Sequence, residues 1–391
     1  MATGADQEKS VVYRVPDKPR LQIGSIDGDG SSLFGVTDVI RLRDGRILVA
    51  EGGSGALKFF DSQGAFLRSL GRTGDGPGEF RSLYRVAELE DGRLAVLDPL
   101  LRRVTVFSAD GGLEETYQVF RRFDETGRRV DPYGFLADGT LVGLEVVEGE
   151  GVETHYGDYP GSVLTYREPI VQPVLIDTAG RALPFGRPAP GSETVSQMQM
   201  STGGDNVRVG GRLVSVPFLR TLMVAVRGTR IALGPIEGYM VGVYGADGTL
   251  QAGFGGPPPK EVPEGVHEAW LDEWVSGFSS PSERRKWRDR YEEFLSSDSA
   301  PATLPSFTSL VVQSGGKVWR EVYDPAHTED DPSRWIVTDP LIVGNFGDTV
   351  ILPAGFRPYD IGPDYVLGEW RDGLGIEFVR MYDLIEVPSG G

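Results

Sequence analysis

Residues Phe34–Gly71 read FGVTDVIRLRDGRILVAEGGSGALKFFDSQGAFLRSLG, and residues Phe80–Tyr117 read FRSLYRVAELEDGRLAVLDPLLRRVTVFSADGGLEETY. Laid over one another, Asp44-Gly45-Arg46 falls on Asp91-Gly92-Arg93 and Phe60 on Phe107. Asp138-Gly139 repeats the step, so the aspartates recur every 47 residues. A fixed period of this length marks a chain built from copies of one supersecondary unit. Each unit reads as four strands. An alternating strand (Val39 to Leu42) meets an Asp-Gly turn, whose glycine accepts the positive φ of a tight hairpin. The next strand is almost wholly apolar, Ile47-Leu48-Val49-Ala50 in one copy and Leu94-Ala95-Val96-Leu97 in the other. Unbroken apolarity means burial on both faces, as for a strand held between two neighbouring sheets. A third strand ends in Phe60 or Phe107, and a turn at Gly64 or Gly111 leads to an outer strand.

Four further copies are eroded but visible. Leu175-Ile176-Asp177 with Gly180, and Val243-Tyr244 with Gly248, repeat Phe59-Phe60-Asp61 with Gly64. Gly316-Lys317-Val318-Trp319 restates the first hairpin, and Gly362-Pro363-Asp364-Tyr365-Val366-Leu367 opens the last copy. Six copies predict an all-β fold, a six-bladed β-propeller forming one domain over residues 13–386. Residues 1–12 are expected to be a disordered polar tail, and 387–391 a second tail. The sixth copy ends near Leu384 without an outer strand, and Leu21-Gln22-Ile23 is left unassigned. The segment 13–26 is therefore predicted to close the last blade, which removes two exposed sheet edges.

Two stretches break the period. Residues 186–211, rich in Gly, Ser, Pro and Gln, read as a long surface loop or flap. Residues 261–297 read as a helical hairpin between blades 4 and 5. Val266, Trp270, Trp274 and Phe278 share one helix face, and Ser280-Pro281-Ser282-Glu283 has the form of a capping box. The second helix carries Trp287, Tyr291 and Phe294 on one face. These aromatics either dock the hairpin onto the ring or form a lid or partner surface.

Composition narrows the function classes. A formal charge of −18 with no Lys/Arg run argues against nucleic acid. Acidic patches attract cations or basic partners, or simply keep a large surface soluble. The absence of cysteine removes disulfides, thiolate metal sites and cysteine nucleophiles. No eighteen-residue apolar stretch exists to span a membrane, and the first ten residues do not form a signal peptide. His155, His267 and His327 have no metal-binding spacing, and no Gly-x-Ser-x-Gly elbow is present. Asp27-Gly28-Asp29-Gly30 reads as an inter-blade turn rather than a calcium loop, and Gly74-Asp75-Gly76-Pro77-Gly78 as a blade connection rather than a phosphate cradle.

The candidate site is a carboxylate register. Six residues after each hairpin glycine stand Glu51, Asp98 and Glu145, with Glu321 and Glu369 within one residue of that register in the fifth and sixth copies. Converging acids suit a hard cation such as Ca²⁺, so Glu51, Asp98 and Glu145 are the candidate metal ligands. The competing reading is that each acid accepts hydrogen bonds from its own following turn. Arg102 and Arg103, with Arg121, Arg122, Arg128 and Arg129, concentrate positive charge that could fork an anionic ligand or make surface ion pairs.

The segments GRTGDGPGEF (71–80), VFSADGG (106–112) and LPSFTSLVVQSGGKVWREVY (304–323) resemble bacterial six-bladed β-propeller proteins related to NHL repeats, as do segments of the tail from Val350 to Leu384. That resemblance implies the fold and export to the periplasm or cell surface, with a cytoplasmic location the alternative; it implies no settled activity. The leading functional expectation is a monomeric binding module that presents one face of the ring to a protein, peptide or glycan. The alternative is an enzyme of the calcium-dependent lactonase, esterase or strictosidine-synthase-like type. Those sites draw on Asn as well as Asp and Glu, and only Asn206 and Asn345 occur here. The reading leans away from an enzyme and requires no cofactor beyond that calcium.

Overall fold

The computed structural model describes residues 11–25, 30–119, 129–156, 162–203, 206–238, 240–256, 258–328, 330–342 and 347–388. Among them lie six sheets whose innermost strands form a closed circuit. Val36–Arg41 lies beside Arg85–Glu88, which lies beside Arg129–Phe135, then Leu222–Arg227, Phe307–Val312 and Phe356–Ile361, which returns to Val36–Arg41. The fold is a six-bladed β-propeller. Blade 1 continues outward through Ile47–Glu51, Ala56–Phe60 and Phe66–Leu70, and blade 2 through Leu94–Asp98, Arg103–Phe107 and Leu113–Gln118. Blades 4 and 5 repeat this order from their inner strands to Leu250–Gly255 and Asp348–Leu352.

Burial follows the expected gradient. Both apolar second strands, Ile47–Glu51 and Leu94–Asp98, are buried along their whole length, whereas the outer strand Leu113–Gln118 is almost wholly exposed. The core is divided into layers between blades rather than gathered at one centre. Leu48, Leu57 and Phe59 of blade 1 pack on Phe80, Val86 and Val96 of blade 2, and Trp319 and Trp335 of blade 5 pack on Val366 and Tyr382 of blade 6. The first hairpins turn at Gly45 and Gly92 with φ of 91° and 87°, values that an L side chain adopts only with strain. Asp44 and Asp91 cap those turns by accepting the Arg46 and Arg93 amides, each at 3.0 Å.

The N-terminal closure has the predicted form. Leu21–Ile23 pairs antiparallel with Glu377–Asp383 and supplies the outer strand of blade 6. A second clasp lies beyond it. Val11–Arg14 pairs with Ile385–Pro388, so ordered strands extend past both ends of the 13–386 domain. Tyr13 of this ribbon packs on Trp319, donates to Glu386 at 3.2 Å and accepts from Lys317.

The 186–211 segment corrects the sequence reading. It is not a loop but part of a long antiparallel hairpin, Thr194–Gly203 with Asn206–Val214. That hairpin pairs with the first half of Ser162–Ile176, which in turn pairs with Leu141–Tyr156. The second and third strands of blade 3 thus run past the rim of the ring and form the base of a sheet extension. Helices α1 (Val266–Ser276) and α2 (Pro281–Leu295) pack against it. Trp287, Tyr291 and Phe294 are buried against Tyr156, Leu164, Tyr166, Val195 and Val214, so the aromatic face docks, but onto the blade 3 extension and not onto the ring itself. Pro281 opens α2 as expected, but Ser280 makes no side-chain cap; its hydroxyl pairs with that of Ser282 at 2.8 Å.

Chain direction fixes which face these parts occupy. In every blade the first strand ends, and the second begins, at a tight hairpin; the second strand ends at the opposite face. The blade 3 extension leaves from second-strand ends, and α1 and α2 fill a connection between consecutive blades. Both rise from one face, called the loop face below; the other is the hairpin face.

Candidate functional site

Five predicted acids lie where the register places them, at or near the loop-face ends of second strands, but they do not converge. Glu51 is buried, accepts the Phe34 amide and Lys58 Nζ at 2.8 Å each, and also accepts the Ser54 hydroxyl. Asp98 is fully buried and accepts the amides of Arg81, Ser82 and Leu101 at 2.7, 3.2 and 2.9 Å. Their lone pairs are directed at their own turns and at the incoming blade connection, which corrects the metal-ligand reading of these two residues in favour of capping. Glu369 is buried against Arg371 at 2.5 Å, and Glu321 accepts the Thr308 hydroxyl at 2.9 Å. Glu145 is half-buried, paired in register with Val130 and Gln172. Among the described residues no three His, Asp or Glu side chains are grouped to hold a metal ion.

The arginines divide. Arg103 is buried and donates to the carbonyl oxygens of Asp75 and Gly76 at 2.9 and 2.7 Å, and to that of Glu79. It therefore holds the Gly74–Phe80 connection in place and is not available to fork a ligand. Arg102 sits at a turn with φ of 53°. Arg129 pairs with Asp131 at 3.0 Å, the surface role. Arg121, Arg122 and Arg128, Asp27-Gly28-Asp29 and Asn345 lie outside the described residues.

The polar groups that come together line the central channel, on the innermost strands. Four of those strands carry a one-residue bulge, at Thr37, Tyr133, Thr308 and Tyr359. A bulge turns an extra side chain away from the pleat, and bulges gather where a strand must re-aim a group. Blade 2 has no bulge, but Tyr84 occupies the position of Thr37, directly before the first paired residue. Thr37, Tyr84 and Thr308 share one level of the register, and Tyr133 and Tyr359 stand two residues nearer the hairpin face; the Thr37 hydroxyl donates to the Ala50 carbonyl at 3.2 Å. Arg85 lies over the Tyr84 ring, 4.5 Å from its centroid, and its Nη1 reaches the Thr37 and Tyr84 carbonyls at 3.4 and 3.3 Å. The Tyr359 hydroxyl approaches the Val36 carbonyl at 3.4 Å. Burial, with Asp131 and Tyr84 nearby, pushes the Tyr133 phenol up to about 12. Burial raises Tyr359 to about 12 as well, with Arg357 opposing and Glu369 and Asp38 adding.

Toward the hairpin face the channel is crossed by an ion pair. Arg227, the last residue of the blade 4 inner strand, reaches Asp360 of blade 6 at 2.5 Å, although blade 5 stands between them on the ring. Asp360 also accepts the Arg41 amide at 2.7 Å and the Tyr365 hydroxyl at 3.1 Å. Asp38 accepts the Val86 amide at 2.9 Å, and burial raises its carboxyl despite Arg85. Both aspartates satisfy amides on the channel-facing edge of the next blade's inner strand, where no further strand can pair. At the loop-face end on the blade 4 side, Arg220 pairs with Glu168 and Glu237, and its amide donates to Glu193 at 2.8 Å. Tyr166 donates to Glu193 at 2.9 Å.

None of these channel residues stood out in the sequence. The inner strands share no common motif, and a bulge adds a residue without leaving one. The one available signal was Asp38, an aspartate directly before a predicted strand, beside Val36, Val39 and Ile40.

A family described as a 6-bladed beta-propeller matches residues 29–120. No curated protein matches the chain. Among solved structures, a member of the DUF4221 family from Bacteroides vulgatus has the same fold over 97% of this chain and 100% of that one, with a TM-score of 0.50 and 7% identity. A protein of Bacteroides fragilis assigned as exported is similar over 99% and 98% of the two chains, with 13% identity and a TM-score of 0.47. Virginiamycin B lyase from Staphylococcus aureus is similar over 98% of each chain, with 10% identity and a TM-score of 0.40.

Proposed function

We propose that this six-bladed β-propeller is a binding module whose ligand surface is its loop face, around the channel mouth. The observation that carries this reading is that both departures from the repeat, the blade 3 extension and the α1–α2 pair, fuse into one wall on that face. The first hairpins on the opposite face are short, and those of blades 1 and 2 are capped by Asp44 and Asp91. Exposed apolar side chains stand at loop-face tips of blades 6, 1 and 2 (Leu374, Phe34 and Leu100, the first 87% exposed), against Leu341 and Ile342 at one hairpin-face turn of blade 5. Apolar groups held out on ordered loops favour contact with a partner. Glu51 and Asp98 are committed to turns and Glu369 to Arg371, so the reading does not depend on a cation. Placement in the periplasm or at the cell surface follows from the family resemblance and is part of the proposal; among the described residues no helix is long and apolar enough to cross a membrane.

A photo-crosslinking residue placed at Leu100 or Leu374 should capture a discrete ligand or partner. The same group at Gln63, on a hairpin-face turn, should not. Equal capture from both faces would count against a dedicated binding face.

A further inference from the structure

We infer that Arg320, buried between blades 4 and 5, is the core of a binding site for a small monovalent anion.

Arg320 stands in Val318–Val322, the second strand of blade 5. Its neighbours fix the direction of its side chain. Trp319 packs toward blade 6, among Val366 and Tyr382, while Val318 packs toward blade 4, among Ala232, Val243 and Phe254. Side chains two apart share one face of a strand, so Arg320 points with Val318 into the layer between blades 4 and 5. There its guanidinium lies 5.0 Å from the centre of the Phe254 ring. A Cβ at Gly256 would stand 3.0 Å from Nη1, so the main chain passes against the fork just where it leaves blade 4 toward α1. The site thus lies at the loop-face end of that layer, at the root of the helix pair.

Arg103 and Arg320 are the two buried arginines among the described residues, and their surroundings differ. Arg103 directs its fork at three main-chain carbonyls. Lys58 is met by Glu51 and Arg227 by Asp360. Arg320 has no hydrogen bond or ion pair with any described residue, and its Nε is buried without a partner. Burial lowers its ionisation, and no carboxylate opposes that shift. The Phe254 face offsets part of the cost of enclosing a cation but supplies no oxygen acceptor. An enclosed charge without a counter-charge is among the most costly arrangements in a core, and a guanidinium fork is well shaped to receive an anion.

The surroundings also limit size and charge. Arg320 is 6% exposed, so the approach admits an ion of few atoms and not a sugar, a peptide or a nucleotide. One enclosed positive charge matches one negative charge; a divalent oxyanion would bring a second that no group beside the fork meets. Ser306, at the same end of this layer, has a buried hydroxyl that also lacks a partner. Its amide donates to Ile236, which packs on the cluster that holds Phe254 and Val318.

The test places the full chain in sodium gluconate, a bulky anion, and replaces it at constant ionic strength by chloride, bromide, formate or acetate. Chloride or formate should raise the thermal unfolding midpoint saturably, by about 2–5 °C at roughly 100-fold excess over Kd. Saturation by halides identifies an inorganic ion as the occupant, and saturation by carboxylates alone a small organic acid. In the wild type the anion should slow hydrogen exchange in Leu250–Gly255 and Val318–Val322 while leaving blades 1 and 2 unchanged. Arg320→Met, which keeps much of the volume and removes the charge, should lose the response and unfold at a higher temperature than the wild type in gluconate. Arg320→Gln should lose the response as well, which keeps the test intact if one variant does not fold. A midpoint indifferent to all four anions overturns the inference. So does a rise of equal size in either variant, or protection spread equally over blades 1 and 2.

Discussion

Asp98 shows how a residue can be placed correctly by sequence and still be ambiguous in role. Its position follows from the 47-residue step, but a carboxylate six residues after a hairpin glycine looks the same whether it caps or ligates. Its three partners are backbone amides of Arg81, Ser82 and Leu101, which have no side-chain signature. Removing it would strand buried amides, so Asp98→Ala should cost about 2–4 kcal/mol in denaturant unfolding. Calcium should leave the unfolding midpoint of the wild type unchanged; a saturable upward shift would restore the metal reading. Asp38 predicts a pH effect of unusual sign. Burial raises its carboxyl in the folded state, so the native protein holds that proton more tightly than the unfolded chain does. Its contribution is fully present below the unfolded carboxylate value, about 4, and is lost as pH rises through the raised folded value. The surface turn carboxylate Asp91, lowered by the Arg93 amide and then by the Arg93 side chain, acts in the opposite sense, losing stability as pH falls. Unfolding free energies of wild type and Asp38→Asn measured across that range should therefore converge or cross as pH rises, the wild type losing ground. A constant difference would refute the assignment.

At the scale of elements, strands with strong local patterning were legible and strands stabilised by distant partners were not. Ile47–Glu51 and Leu94–Asp98 announce themselves because burial on both faces demands unbroken apolar residues. Thr194–Gly203 and Asn206–Val214 do not, because their Gly, Ser and Gln content gives little apolar signal. Their strand form depends on pairing with Ser162–Arg167 and on cover from helices more than fifty residues further on, information absent from any local window. The closing strand was found by elimination, as the one strand missing from the sixth copy. Ile23 is 1% exposed and packs on Val39, Phe60, Leu367 and Val379, so it joins blades 6 and 1. Ile23→Ala should cost about 2–4 kcal/mol, measured by urea unfolding. Hydrogen exchange should rise in Glu377–Asp383 and Val36–Arg41 together; a loss confined to residues 21–23 would show that the strand is ornamental.

For the whole molecule, the repeat specified the ring, while the features on which the proposed binding face rests, the extension and the helix pair, stand where the repeat is broken. That is why fold and site differ so much in legibility. A ring is a sum of similar units, and its evidence accumulates copy by copy. The polar groups along the channel come singly from different copies, each unremarkable alone. The second clasp has a further consequence. Val11 faces Pro388 across a two-stranded ribbon, so these two residues lie at adjacent points. Residues facing each other across such a ribbon lie about 5 Å apart, within the span of a two-residue turn. The path from residue 11 to residue 388 is thus nearly a closed circle, and the ring can be opened elsewhere without changing its pairings. Joining 388 to 11 through Asn-Gly and opening the chain between Asp110 and Gly111, an outer turn of blade 2, should give a circular permutant with the same ring. Its circular dichroism should match the parent's, and its unfolding should remain a single cooperative transition.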